Sequence, residues 1–369
     1  MKILLVANTD WYLFNFRLLL AQALRDRGHE VVLVSPPGGY ASRLQEAGFR
    51  WLPAPISRRG TNPLREFNTL LRLARIYRRE RPALVSHFTI KPVLYGSLAA
   101  RLARVPRVIN AVTGLGYVFT AHGREAATLR SIVKPLYRFA LRDTQIIFQN
   151  EVDRQEILRG GLAQAEQTHL IPSSGIDLRR FIPSPLPPGP PVVLFNGRML
   201  WSKGVGEFVA AARVLRKQGV PARFWLVGDS DEGNPESIPA AQLRAWQTEG
   251  VVEWLGWRDD VPNIMAQTTL VCFPSYAEGF PRALLEAAAS GRAAVTTAAP
   301  GCADAVIDGE TGLIVPVRDP DALARALASL LADPQRCARM GEAGRKFVES
   351  RFSADLIINR TMAVYFSED

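Results

Sequence analysis

Only three cysteines occur in the 369 residues, Cys272, Cys302 and Cys337, widely spaced and without a C-x-x-C pair. That spacing argues against a disulfide framework and against a zinc site, and it fits a reducing compartment. No apolar run approaches the roughly 18 to 20 residues that a membrane-spanning helix needs. The opening "MKILLVANTDWYLF" has a single Lys and no small-residue cleavage site, so it reads as a first strand, and a cytoplasmic location is expected. G-x-G-x-x-G is missing after that strand, where "ANTDWYLFNFR" stands, which argues against a dinucleotide-binding oxidoreductase. There is no RRM-type aromatic signature, and the second half is acidic, so nucleic acid is not the expected partner; a basic RNA-binding protein remains the rival from another class. No histidine-and-carboxylate set suits proton abstraction, which counts against a sugar-nucleotide epimerase.

What is present is a strong charge asymmetry. Residues 1–185 carry 27 Lys+Arg against 13 Asp+Glu, whereas residues 186–369 carry 18 against 22. The halves therefore face different partners, and a basic face suits nucleic acid, anionic lipid or a phosphorylated acceptor. Short β-rich runs alternate with helical patterns twice over, from "KILLVAN" to "THLIPS" and again from "PVVLFNGR" to "GLIVPV". Such alternation predicts an α/β protein of two doubly wound, Rossmann-like domains. Between them "FIPSPLPPGPP", residues 181 to 191, carries six prolines and reads as a stiff linker, because proline fixes φ and lacks an amide hydrogen. The expected domains are 1–182 and 190–352, with a last helix over 353–369 packing back on the first. Ligands of such sheets sit beyond the carboxyl ends of the strands, and a cleft between the domains is the expected site.

The second half holds the densest chemistry. In "YAEGFPRALLEAAASG", residues 276 to 291, Glu278 precedes an apolar helix and Glu286 lies inside it. Gly279 allows close backbone approach, Pro281 suits a first helical turn, and the amides near Gly279 and Phe280 are expected at the positive end of the helix dipole. Carboxylates only accept hydrogen bonds, so beside an anion they must bind hydroxyls. Arg198 and Lys203, in "FNGRMLWSKGVGEF", supply cations from another strand end. A diphosphate flanked by hydroxyl-bearing sugars, as in a sugar nucleotide, meets all of these demands. "DSD" at 229 to 231 follows a strand and reads as a loop, not a metal motif.

The pairing of G-R-x-x-x-x-K-G (Gly197 to Gly204) with E-G-F-P-x-x-x-x-E (Glu278 to Glu286) resembles the family-4 retaining glycosyltransferases of the GT-B fold. The likeness extends through "RDRGHEVVLVSP", "IPSSGIDLRRF", "VEWLGWRDDVPNIM" and "APGCADAVIDGETGLIVPVRDPDALARAL". It implies that Arg198 and Lys203 hold the donor diphosphate, Glu286 the ribose and Glu278 the transferred sugar, with Trp257 and Arg258 bordering the base. It also implies retention of anomeric configuration with no metal and no cofactor; the nucleotide diphosphate sugar is a substrate. Many relatives have glycine in the first loop, where Asn8 and Thr9 stand here as substitutes. Relatives often carry a histidine where this chain has Thr113 and Gly114, so no catalytic histidine is carried over.

Within the family, "SRRGTNPL", "HFTIKPVLYGSLAARLA" and "TGLGYVF" resemble the subgroup that adds a hexose or N-acetylhexosamine to polyprenyl-diphosphate-linked sugars. N-acetylgalactosamine and N-acetylglucosamine are the candidates, with UDP as the carrier. His87, Lys91, Thr113 and Gly114 are the acceptor-side candidates. Arg130, Lys134, Arg138 and Arg142 recur every four residues beside Leu129, Ile132, Val133, Leu136, Tyr137 and Phe139, a basic stripe next to an apolar one. Such a helix suits an anionic membrane surface, and helix 64–79, with five arginines, has the same character. The expectation is a protein peripheral on the inner face of the cytoplasmic membrane. A related GT-B enzyme acting on a soluble or lipopolysaccharide-core acceptor is the alternative.

Overall fold

A computed structural model describes residues 1–57, 62–114 and 134–367. The chain divides into two units, Met1–Ser174 together with the segment from Asp355, and Gly175–Ala354. In the first, β1 (Lys2–Val6), β2 (Glu30–Ser35), β3 (Arg50–Pro53), β4 (Leu84–Phe88), β5 (Arg107–Val112), β6 (Gln145–Phe148) and β7 (Thr168–Leu170) form a parallel sheet of order β3-β2-β1-β4-β5-β6-β7. In the second, β8 (Val192–Asn196), β9 (Arg223–Val227), β10 (Glu253–Trp254), β11 (Leu270–Phe273), β12 (Ala293–Thr297) and β13 (Gly312–Val315) run β10-β9-β8-β11-β12-β13. The class is α/β, with two Rossmann-like sheets.

Central parallel strands are covered on both faces, so they read as unbroken apolar runs: Ile3, Leu4, Leu5 and Val6 are fully buried, as are Val193, Leu194 and Phe195. β3, "RWLP", escapes a search for such runs because it is an edge strand, half exposed, that ends on a proline. In each sheet the first strand lies between the second and the fourth, which makes β1/β4 and β8/β11 the switch points where chain connections diverge to opposite sides. A crevice at the carboxyl ends of the strands belongs at such points.

The division between the units falls at Ser174/Gly175, ahead of the proline-rich stretch. From Ile176 onward the chain is tied to the second unit, with Ile176 N–H donating to Phe352 O and Ala354 N–H to Ile176 O, both at 2.9 Å. The prolines do not form a free linker. Arg292, 1% exposed, donates to Ser184 O and Ser184 Oγ at 2.6 Å, and to Pro185 O at 3.2 Å, strapping the stretch to the unit it precedes. A guanidinium carries five N–H donors in a fixed fork, so one buried Arg292 can hold several acceptors of this stretch at once. The last helix, Ala354–Tyr365, belongs to the first unit, where Tyr365 Oη donates to Ser86 Oγ at 2.5 Å.

Candidate functional site

The carboxyl edge of the second sheet gathers the charged residues of two loops and one helix. After β8 the chain turns through Arg198 and a 3-10 turn, Trp201–Lys203, then enters helix Val205–Lys217 at Gly204. Gly204 holds φ 74°, and a Cβ there would lie 2.0 Å from Pro274 O, so only glycine lets this loop close on the loop after β11. That approach sets Lys203 Nζ against Glu278 Oε1, an ion pair with both side chains mostly buried. Ser275 Oγ donates to the same oxygen at 2.8 Å. Gly301 packs under the Glu278 loop, where a Cβ would come 2.4 Å from Glu278 O.

Helix Arg282–Ala289 follows, with Pro281 at its N-cap, one position before the first-turn place expected of it. Gly279 is buried, and the Phe280 ring turns inward, its centroid 5.0 Å from that of Phe352. Glu286 lies on the helix with a side chain 12% exposed. Arg282 Nε donates to its Oε1 at 2.9 Å, one helical turn away, and Asn196 Nδ2 to its Oε2 at 3.3 Å. Burial raises its carboxyl above the usual range, and the charges of Arg282 and Arg180 partly offset that rise.

Arg198 turns to Asp231, with Nη1 to Oδ2 at 2.9 Å. Asp231 also accepts from Asn234 Nδ2 at 3.0 Å, so the "DSD" stretch is a loop that balances an arginine. Among the described residues no group of three or more His, Cys, Asp or Glu is placed to hold a metal ion. Arg258 is exposed and bound to its neighbour Asp260 by two 2.8 Å bonds, which hold its guanidinium firmly charged. Trp257, 49% exposed, donates to Asp259 Oδ1 at 2.9 Å.

In the first unit the structure corrects one candidate outright. His87 is fully buried, 3.0 Å from Tyr77 Oη and 2.9 Å from Asn110 Oδ1. A Cβ on Gly96 would strike its ring at 2.4 Å, so the helix after β4 closes the histidine off. Burial pushes its pKa down to about 4, and it stays neutral as a core hydrogen-bonding group, out of reach of an acceptor. Lys91 pairs with Glu66 at 2.5 Å. Thr9 caps the short helix Asp10–Tyr12, its Oγ1 accepting from Tyr12 N–H at 3.1 Å, and Asn8 beside it is half-buried. Thr113 and Gly114 follow β5 and are half-buried, with Gly114 at φ 134°.

Of the basic stripe, Leu129, Arg130, Ile132 and Val133 lie outside the described residues. In helix 134–141 the Tyr137 ring is buried and Arg138 Nε donates to Gly161 O at 2.7 Å, so this part of the stripe is drawn onto the protein. Phe139 is 51% exposed, as are Leu64 and Phe67 on helix Pro63–Glu80 at 81% and 59%.

Two family models divide the chain between them: "Glycosyl transferase 4-like" matches residues 2–151 and "Glycosyl transferases group 1" matches residues 190–333. The chain belongs to the glycosyltransferases. The transferase is 29% identical over 347 residues, 90% of each chain, to the N,N'-diacetylbacillosaminyl-diphospho-undecaprenol α-1,3-N-acetylgalactosaminyltransferase of Campylobacter jejuni. It is 24% identical over 330 residues, covering 85% of itself and 82% of the relative, to the UDP-Gal:α-D-GlcNAc-diphosphoundecaprenol α-1,3-galactosyltransferase of Escherichia coli. Its fold matches that of HepE from Anabaena, crystallised with UDP and glucose, with a TM-score of 0.81 over the full length of both chains at 20% identity. The fold is GT-B.

Sequence reading of the transferase missed Asn196, Ser275, Asp231 and Arg282. Arg282 carried a signal, since a basic residue four positions before Glu286 faces it on a helix. Asn196, Ser275 and Asp231 are set by strand register and loop closure, which local pattern does not reveal.

Proposed function

We propose that the protein is a retaining glycosyltransferase that moves a hexose or N-acetylhexosamine, with N-acetylgalactosamine first among the candidates, from a UDP-linked donor to a polyprenyl-diphosphate-linked saccharide. The observation that carries this reading is the union of the β8 and β11 loops by Lys203 and Glu278 at a sheet switch point, with Glu286 on the next helix. Lys203 and Arg198 would neutralise the charge that gathers on the leaving diphosphate, which is electrostatic preorganisation and not acid–base chemistry. To do so each must share or exchange a carboxylate for a phosphate oxygen. Glu278, released from Lys203, accepts from hydroxyls of the transferred sugar, and ionised Glu286 from those of the ribose, since a carboxylate only accepts. The reaction needs no metal on this reading.

The acceptor side of the proposal is supported by the two undecaprenol-linked relatives and by the basic first half of the chain. Exposed Leu64, Phe67 and Phe139 beside arginines suit a place at the inner face of the cytoplasmic membrane. None of the described helices is long and apolar enough to cross a membrane.

The test is transfer from UDP-N-acetylgalactosamine, UDP-N-acetylglucosamine and UDP-galactose to a synthetic polyprenyl-diphosphate sugar, with and without chelator, and the product linkage read by NMR. An α-linked product formed in chelator supports the proposal. A β-linked product, or strict dependence on a divalent ion, defeats it.

A further inference from the structure

Several buried polar atoms lack partners at the edge of the first sheet between β1 and β4. Arg17 ends a π-helical turn, Leu13–Arg17, in the connection after β1, and is 6% exposed. Its Nη2 donates to Tyr12 Oη at 2.8 Å, and its guanidinium carbon lies 4.3 Å from the centre of the Phe88 ring. Its Nε is buried with no acceptor, and among the described residues no carboxylate pairs with it. Phe88 is the last residue of β4. Thr89, next in the chain, holds φ 71°, a left-handed conformation rarely adopted by a β-branched residue, and its Oγ1 is likewise buried without a partner.

A second π-helical turn, Pro92–Gly96, follows Thr89. Both strands at the switch point thus run into a π turn, a feature that recurs at functional sites. The carboxylates Asp10 and Glu66 each have other partners. Asp10 accepts from Trp11 N–H at 2.8 Å and Tyr40 N–H at 2.7 Å. Glu66 holds Lys91 at 2.5 Å through Oε1, while its Oε2 is a further buried atom without a partner. A buried cation with no counter-ion is costly unless its counter-ion arrives with a ligand.

We propose that Arg17 and Thr89 form an oxyanion subsite that receives a phosphate group of a diphosphate ligand at the switch point of the first sheet. The unengaged edge of the guanidinium and the threonine hydroxyl are donors without acceptors, and phosphate offers several acceptor oxygens to such a fork. The subsite rests on the proposed function for the source of that phosphate, either the lipid diphosphate of the acceptor or the diphosphate of the nucleotide.

Full-length wild type, Arg17→Gln, Arg17→Lys, Thr89→Val and Lys203→Ala are titrated with farnesyl diphosphate and, separately, with UDP, and folding is checked by thermal melting. Arg17→Gln is expected to weaken farnesyl diphosphate binding about tenfold or more and Thr89→Val about fivefold, with UDP affinity within about twofold of wild type. Lys203→Ala is expected to do the reverse. If the Arg17 and Thr89 variants lose UDP instead, the subsite stands and its phosphate belongs to the nucleotide. Should Arg17→Gln fail to fold, Thr89→Val, which removes one hydroxyl and keeps the shape, carries the test. Wild-type affinities for both ligands in folded variants, or no binding of either by wild type, overturn the subsite. A chain that binds both ligands with these losses yet transfers no sugar sinks the functional proposal and leaves the subsite intact.

Discussion

The two sheets share one strand order, and their switch points solve a charge problem in opposite ways. At β8/β11 charge meets charge: Lys203 with Glu278, Arg198 with Asp231, and Arg282 with Glu286 on the helix behind. At β1/β4 the cation Arg17 meets a phenol hydroxyl and an aromatic ring, and His87 on β4 is locked neutral in the core. The difference teaches what each edge asks of a ligand. An anion at the second sheet must compete with resident carboxylates, which favours a ligand that brings hydroxyls for those carboxylates as well as phosphate. An anion at the first would meet the spare donors of Arg17 and Thr89.

The sharpest way to break the comparison is Lys203→Ala. It removes the cation and strands Glu278 in a mostly buried place, and transfer rate is expected to fall about 10²- to 10³-fold, with a smaller change in donor KM. Steady-state kinetics with the two constants separated checks this, and equal, negligible changes in both would remove the site assignment.

Acidification should separate the units by sign. In the first, His87 has a folded pKa of about 4 against 6.5 when unfolded, so below 6.5 the unfolded chain takes a proton that the folded chain refuses. Stability is therefore lost as pH falls from 6.5 towards 4, by at most about 3 kcal/mol. In the second, Glu286 has a raised pKa, so its burial penalises the folded state as pH rises above the unfolded carboxyl value. Denaturant unfolding at pH 7 and 4.5 is expected to show the first loss, and His87→Gln to abolish that part of the pH dependence.

Glu286→Gln sharpens the second half of the same contrast. It is expected to raise thermal stability at pH 8 while weakening donor binding about tenfold, because an amide replaces an ionised acceptor. In wild type, donor affinity should increase with pH through the elevated range of this carboxyl, a slope that the glutamine variant lacks in calorimetric titration. The smallest effect is expected of Arg258→Ala. That guanidinium is exposed and paired with the equally exposed Asp260, so donor KM should stay within about twofold, the expected loss of an exposed pair.

Legibility in the sequence followed the range of the interaction. Runs such as "KILLVAN" and "PVVLFNGR" announced β1 and β8, because a strand buried on both faces has no alternative to continuous apolar residues. β3 stayed hidden, since an edge strand needs no such run. Lys203, Glu278 and Glu286 stood out by their spacing around glycine and proline. Their pairing did not, because it depends on Gly204 closing on Pro274 from seventy residues away in sequence.

The proline-rich stretch shows the same limit. Local stiffness was readable from composition, while its fastening by Arg292 was not.

By itself the sequence determined the α/β class, the repeated parallel architecture and the asymmetry of charge, because each of these depends on composition or on short-range periodicity. Only the tertiary structure decided which carboxylate answers which cation, that His87 is core, and that Arg17 and Thr89 come to one edge with donors to spare. Those outcomes depend on which strands lie side by side, and strand order is set by burial across the whole sheet.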